Sequence, residues 1–78
     1  MSTGIDDLAR QLRAEYDAAP KGCQLVSIHL FGIRNAKALQ GVRKSDVAER
    51  AGLPSSYGTE INKGVRLAEH VTVTKPLG

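Results

Sequence analysis

The sequence contains one cysteine, few aromatic residues and no long apolar run, and each scarcity excludes a class of protein. Cys23 cannot form an internal disulfide, so this 78-residue chain depends on a thin apolar core, and dimerisation is the remaining way to bury more apolar surface. Three aromatic residues and no tryptophan argue against a stacking platform for single-stranded nucleic acid. No segment approaches the roughly 20 apolar residues of a membrane span. We therefore expect a small cytoplasmic protein with no membrane partner.

The residue types that bind metals or act as nucleophiles are scattered along the chain. Cys23, His29 and His70 lack the close pairing of a zinc site, which needs four ligands. A cysteine nucleophile also needs a base in a preformed pocket, which a thin core does not favour. We therefore expect no enzyme activity, no catalytic residue, no cofactor and no metal.

Charge is divided unevenly along the chain. Residues 1–20 carry four acidic and two basic residues, whereas residues 21–78 carry nine basic and four acidic residues, a net of +5. A basic body suits a polyanionic partner, although charge of this size also serves solubility. With the PKG sequence at 20–22 as a stop, we divide the chain into an N-terminal amphipathic helix, 1–20, and a second unit, 21–78.

The pattern predicts a mainly α-helical fold. In the first unit, apolar residues recur at helical spacing: Ile5, Leu8, Leu12 and Tyr16. Thr3 is the expected cap of this helix, which can pack on the rest of the chain or on its copy in a dimer. In the apolar segment that follows, the favoured interpretation is one helix over 25–39, with Gly32 allowing a close backbone contact. The alternation of apolar residues makes a strand over 24–30 the alternative.

Two short helices and a short strand are predicted in the rest of the chain. The third helix begins at Ser45 as its N-cap and ends before Gly52. The fourth begins at 54–56 and ends at Lys63, where Gly64 offers a left-handed stop. In the tail HVTVT, apolar and polar residues alternate, which predicts a C-terminal β-strand. Three roles for this strand are open: a wing packed beside the helices, an edge strand that pairs with another chain, or a strand that pairs with residues 24–30 of its own chain.

The residues around Gly52 have the pattern of a tight turn between two crossing helices. Ala48 is small where the helices would touch, Gly52 tolerates a left-handed backbone, and Ile61 is an apolar anchor on the second helix. The inner face of the first of these helices carries Val47 and Ala51, and Leu53 enters the core just after the turn. From Lys44 to Gly64 the chain resembles the bacterial and phage helix-turn-helix family, which implies a trihelical core over 25–64. Gly58 departs from that pattern, because a branched apolar residue usually lies there.

A looser resemblance extends over most of the chain. IHLFGIRNAKAL, followed by GLPSSYGTEINKGVRLAEHV, is similar to a group of small bacterial proteins described as having an HTH-like domain. That group implies the fold and supplies no activity.

The face of the fourth helix opposite Tyr57 and Ile61 carries the candidate DNA-binding residues, namely Ser55, Ser56, Thr59, Asn62 and Lys63. Their hydroxyl, amide and ammonium groups are of the kinds that reach base edges and phosphates. Three further cations are candidate phosphate contacts: Arg43, Lys44 and Arg66. Glu60 beside this face would repel phosphate unless it accepts a hydrogen bond from a cytosine amine.

The favoured function is therefore non-enzymatic binding of double-stranded DNA, as a homodimer and a small transcriptional regulator. The alternative is a protein–protein interaction module, which keeps the helical scaffold and binds a protein partner through the first helix or the final strand.

Overall fold

The computed structural model describes residues 4–75, which form four α-helices and one 3-10 turn and contain no β-strand. The elements follow in chain order: α1 Ile5–Ala18, α2 Gln24–Arg34, α3 Lys44–Arg50, the 3-10 turn Ser55–Tyr57, and α4 Gly58–Leu67. The mainly α-helical class predicted from the sequence is confirmed. None of the helices in the described residues is long and apolar enough to cross a membrane.

Helix α1 folds back on the rest of the chain. Leu8 and Leu12 are fully buried in the same cluster as the apolar residues of the other helices. Two ion pairs join the outer face of α1 to the body, Asp6 with Arg50 of α3 at 2.7 Å and the Glu15 carboxylate with Arg34 of α2 at 2.8 Å. Thr3, the expected cap, lies outside the described residues.

Residues 24–34 form helix α2, so the helical interpretation of the apolar segment is confirmed and its predicted C-terminal boundary needs correction. The strand over 24–30 is wrong, because Ile28 and Phe31 are fully buried at helical spacing whereas Val26 is exposed. The helix also ends at Arg34 rather than at residue 39. Asn35 adopts a non-helical backbone, and its side-chain amide donates to the Phe31 carbonyl at 2.9 Å. Asparagine competes with the helical ladder in this way. Leu39 reaches the core from the following turns.

Helix α3 and the turn after it follow the predicted pattern closely. Gly52 has a φ of 78°, in the left-handed region that other residues rarely adopt. The inner face of α3 and the turn is buried as expected: Val47, Ala48, Ala51 and Leu53. The predicted cap is wrong, because α3 begins at Lys44 after Arg43 and Ser45 lies inside its first turn without a capping hydrogen bond.

Helix α4 begins and ends later than predicted. Residues 55–57 form a 3-10 turn, and α4 then continues to Leu67, through the glycine at 64 that was expected to stop it. Gly64 is buried against α2: a Cβ atom there would overlap the His29 carbonyl oxygen and lie 3.0 Å from the Gly32 Cα. The close backbone contact predicted for Gly32 is therefore present, and Gly64 is the residue that it contacts on α4.

Gly58, which departs from the usual helix-turn-helix pattern, leaves no gap in the core. It is buried where the start of α4 meets the start of α3, and a Cβ atom there would lie 2.6 Å from the Ser45 backbone nitrogen. Contacts closer than about 3 Å require something to shift, so only glycine fits this approach. The 3-10 turn lengthens the connection, and Tyr57 packs on the core beside it, 6.4 Å from the Tyr16 ring.

The predicted C-terminal β-strand is wrong for the described residues. Residues 71–74 have no assigned secondary structure and no ladder partner in the described part of the chain. A strand needs a neighbour to take up its backbone hydrogen bonds. The segment that would have paired with it in the same chain, residues 24–30, is helical.

Candidate nucleic-acid interface

One face of α4 is turned to solvent over its full length. Its inner face is fixed by buried residues at positions 58, 61 and 64. The opposite face carries a polar stripe at the spacing i, i+3, i+4, i+7, formed by exposed side chains: Thr59, Asn62, Lys63 and Arg66. Residues at this spacing lie on one side of a helix. We call these four residues the α4 stripe.

The other predicted contact residues lie around the start of α4. Ser55 and Ser56 are exposed, but in the 3-10 turn rather than in the α-helix. Arg43 is exposed and Lys44 half-buried at the start of α3, whose backbone touches Gly58. The structure therefore brings the two N-terminal helix ends together. Arg66 was expected beyond the helix and instead lies in its last turn, about 12 Å along the axis from residue 58.

The basic residues of α2, α3 and α4 differ in whether a carboxylate neutralises their charge. In residues 4–75, no carboxylate lies within 4.0 Å of Arg43, Lys44 or Arg66, so their charges are not balanced by an ion pair within the described chain. By contrast, Arg34 and Arg50 are paired with carboxylates of α1. Three cations that no ion pair neutralises within the described residues therefore lie at α3 and α4.

Lys63 is paired, and its partner is shared with a second helix. The Lys63 ammonium lies 3.3 Å from the Glu60 carboxylate one turn earlier, and the same carboxylate lies 2.7 Å from the His29 Nε2 atom of α2. The side chains of Glu60 and His29 are 21% and 30% exposed, so the pair lies at the edge of the stripe. Hydrogen bonds from His29 and then from Lys63 hold the pKa of the Glu60 carboxyl below its usual value.

This lowered pKa predicts how Glu60 contributes to stability. A carboxyl whose pKa is lower in the folded state adds stability above its unfolded pKa, near 4.5, and loses it as the pH falls through the folded pKa. Glu60→Gln should therefore unfold at a lower temperature than the wild type at pH 7, and the difference should shrink towards pH 2. Thermal unfolding followed by circular dichroism at both pH values measures this. A difference that stays constant with pH would contradict it.

The class of protein is helix-turn-helix. Two short helices, α3 and α4, are joined by a turn that contains Gly52, and the second helix packs one face on the core and exposes the other. A family model described as an HTH-like domain matches residues 4–74, and the chain belongs to that family. No curated protein and no solved structure matches the chain significantly.

Sequence reasoning missed the contact between His29 and Glu60. The sequence shows His29 only as one of the scattered residue types that bind metals, and Glu60 only as a residue beside the candidate DNA-binding face. The two residues are 31 positions apart and meet because Gly32 and Gly64 let α2 and α4 approach closely. The available signal was the pair of glycines inside helical patterns, which marks a close crossing without naming the side chains beside it.

Proposed function

We propose that the protein binds double-stranded DNA without catalysing a reaction and acts as a small transcriptional regulator, with α4 in the major groove. The observation that carries this proposal is the α4 stripe, in which hydroxyl, amide, ammonium and guanidinium groups share one exposed face of the second helix. These groups donate to base edges and phosphates, and the major groove is about 12 Å wide, enough to admit a helix.

The position of each side chain supports a division of roles. Thr59 and Lys63, with Ser56 in the turn before them, lie where the first turns of a recognition helix contact bases. Arg43 and Lys44 approach from the start of α3, and Arg66 from the far end of α4, so they would hold phosphates on either side. Asn62 and Ser55 extend the same surface.

Binding as a homodimer is part of the proposal. Helix-turn-helix proteins commonly read two half-sites one DNA turn apart, which needs two copies of the reading helix. Leu67 at the end of α4 and Val71 just beyond it are 44% and 47% exposed. These residues offer apolar surface for a second copy near the stripe.

A protein-binding function is the second candidate, favoured by a separate observation. Leu25 and Val26, adjacent residues in the first turn of α2, are 47% and 44% exposed. Neighbouring exposed apolar residues are typical of protein contacts. On this hypothesis the chain keeps the helix-turn-helix scaffold and binds a protein partner instead of DNA.

Fluorescence anisotropy on a labelled duplex of mixed sequence separates the two functions. If Arg43, Lys44 and Arg66 each neutralise one phosphate, the logarithm of the binding constant should fall with the logarithm of salt concentration with a slope of about −2.7 per chain. That slope corresponds to about a 40-fold loss of affinity between 50 and 200 mM salt. If the protein binds no duplex even at low salt, DNA binding is contradicted and the protein-binding function is favoured.

Thr59→Ala should change sequence preference more than overall affinity. Thr59 is an uncharged residue one position into α4, and its loss removes a base contact without removing a positive charge. We expect a loss of about 1–3 kcal/mol on the preferred site and little change on unrelated duplexes. Binding selection from a randomised duplex pool measures the preference. An equal loss of affinity on all sequences would show that Thr59 contacts the DNA backbone and not a base.

A further inference from the structure

The carboxylate of Glu60 joins the DNA-facing surface to a helix behind it. On one side it accepts hydrogen bonds from the Lys63 ammonium at 3.3 and 3.4 Å, and on the other it is 2.7 Å from the His29 Nε2 atom. Lys63 belongs to the α4 stripe, whereas His29 lies on α2, outside the stripe. A change in the charge of the His29 side chain can therefore reach the stripe through Glu60.

We propose that His29 is a positioning residue for the α4 stripe, and that its protonation releases the Lys63 ammonium from Glu60 to the DNA. The proposal rests on the DNA binding proposed above and adds a pH-dependent control to it. Binding should be tighter at mildly acidic pH than at mildly alkaline pH.

The hydrogen-bond chemistry fixes which nitrogen takes the proton. An ionised carboxylate can only accept, so Nε2 of His29 carries the hydrogen that it donates to Glu60. The free position is then Nδ1, and a proton there turns the neutral ring into a cation without breaking the existing bond. The three side chains change from a net charge of zero to +1. Glu60 is then paired with a cation other than Lys63, which leaves the lysine charge available.

Few other charged groups act on His29 from the packed helices. On α4 these groups are Glu60 and Lys63. Helix α1 also packs against α2, but its Glu15 carboxylate is engaged by Arg34, and in the described residues no hydrogen bond joins α1 to His29. His70 lines an open cleft with Lys63 and Arg66, and it makes no hydrogen bond to a carboxylate in the described residues.

Anisotropy titrations at pH 8 and pH 5.5, at one fixed salt concentration, test the proposal. Histidine is the side chain whose charge changes within this range, and one added charge close to a phosphate in water corresponds to about a fivefold gain in affinity. The wild type should bind about fivefold more tightly at pH 5.5. His29→Gln keeps an N–H donor for Glu60 but does not titrate, so its affinity should be nearly independent of pH.

His70→Gln is the matched control, because it removes the other histidine from the same side of the molecule and leaves the bond between His29 and Glu60 in place. This variant should keep most of the pH dependence. If it loses the dependence while His29→Gln keeps it, the effect belongs to His70 and the proposal is wrong.

Glu60→Gln provides a second readout that does not depend on titration. The amide keeps the geometry but no longer holds the Lys63 charge, so this variant should bind at pH 8 about as tightly as the wild type does at pH 5.5. Weaker binding than the wild type at pH 8 would show that Glu60 does not withhold Lys63. Circular dichroism of each variant establishes that the helices are intact.

The two proposals fail in different ways. If the wild type binds duplex DNA with a steep salt dependence but has the same pH profile as His29→Gln, the role of His29 is disproved and DNA binding stands. If no duplex binds at either pH and at low salt, DNA binding is disproved, and the role of His29 with it.

Discussion

Replacing Gly64 with valine is expected to lower the free energy of unfolding by about 3 kcal/mol, the upper end of the usual cost of overpacking a core. A Cβ atom at 64 would overlap the His29 carbonyl oxygen and press on the Gly32 Cα, and both obstacles are backbone atoms of α2. Backbone atoms cannot rotate away as a flexible side chain can, so the two helices have to separate. For a domain of this size, the melting temperature should fall by roughly 12–24 °C.

Asn62→Val is the matched control for this prediction. It introduces the same side chain into the same helix, two residues earlier, at an exposed position. Valine and asparagine have similar helix propensities, so the change should stay within about 0.5 kcal/mol. Equal melting temperatures for the two variants would contradict the close crossing of α2 and α4, and with it the support beneath the α4 stripe.

Removing three cations of α3 and α4, none of which is ion-paired within the described chain, is expected to reduce DNA affinity about 100-fold at low salt. The change Arg43→Ala, Lys44→Ala and Arg66→Ala removes three expected phosphate contacts and should flatten the salt slope by about 2.7. The loss should be similar on all sequences, because phosphates carry no sequence information. Anisotropy titrations over a range of salt concentrations measure both quantities.

A second triple variant controls for the overall charge of the chain. Arg10, Lys21 and Lys37 are also exposed, and they lie on α1 and in the turns on either side of α2. Changing these three to alanine lowers the formal charge by the same amount, from +3 to zero. We expect a loss of less than about tenfold, from weaker long-range attraction alone. If both triple variants lose affinity equally, the cations around α4 have no special role.

The parts of the fold that local chemistry determines were predictable from the sequence. The stripe of apolar residues in α1 gave a helix because spacings of three and four place them on one face. Gly52 was expected in the left-handed region and has a φ of 78°. The burial of Ala48 and Ile61 followed from the same helix-turn-helix pattern.

The errors occurred where a contact with a distant residue outweighs the local preference. Gly64 is a good helix stop by its residue type, yet α4 continues through it because its lack of a side chain is needed against α2. The tail was predicted as a strand from its alternation, but its partner in the same chain became a helix. Residues 35–39 have helical composition, and the side chain of Asn35 ends α2 before them.

The candidate site was predictable as a set of residue types but not as an arrangement. Periodicity indicated that Thr59, Asn62 and Lys63 would share a face, and all three are exposed. It could not show that Lys63 is held by Glu60 and, through it, by His29, because that contact depends on how α2 and α4 cross.

The most direct measurement is an NMR titration of the isotopically labelled protein with duplex DNA at low salt, followed through the backbone amides. If α4 enters the groove, the largest shift changes should fall on Thr59, Asn62 and Lys63, with smaller ones at Arg43 and Lys44. Changes confined to α1 or to residues 70–75, or no change at any DNA concentration, would contradict binding through α4.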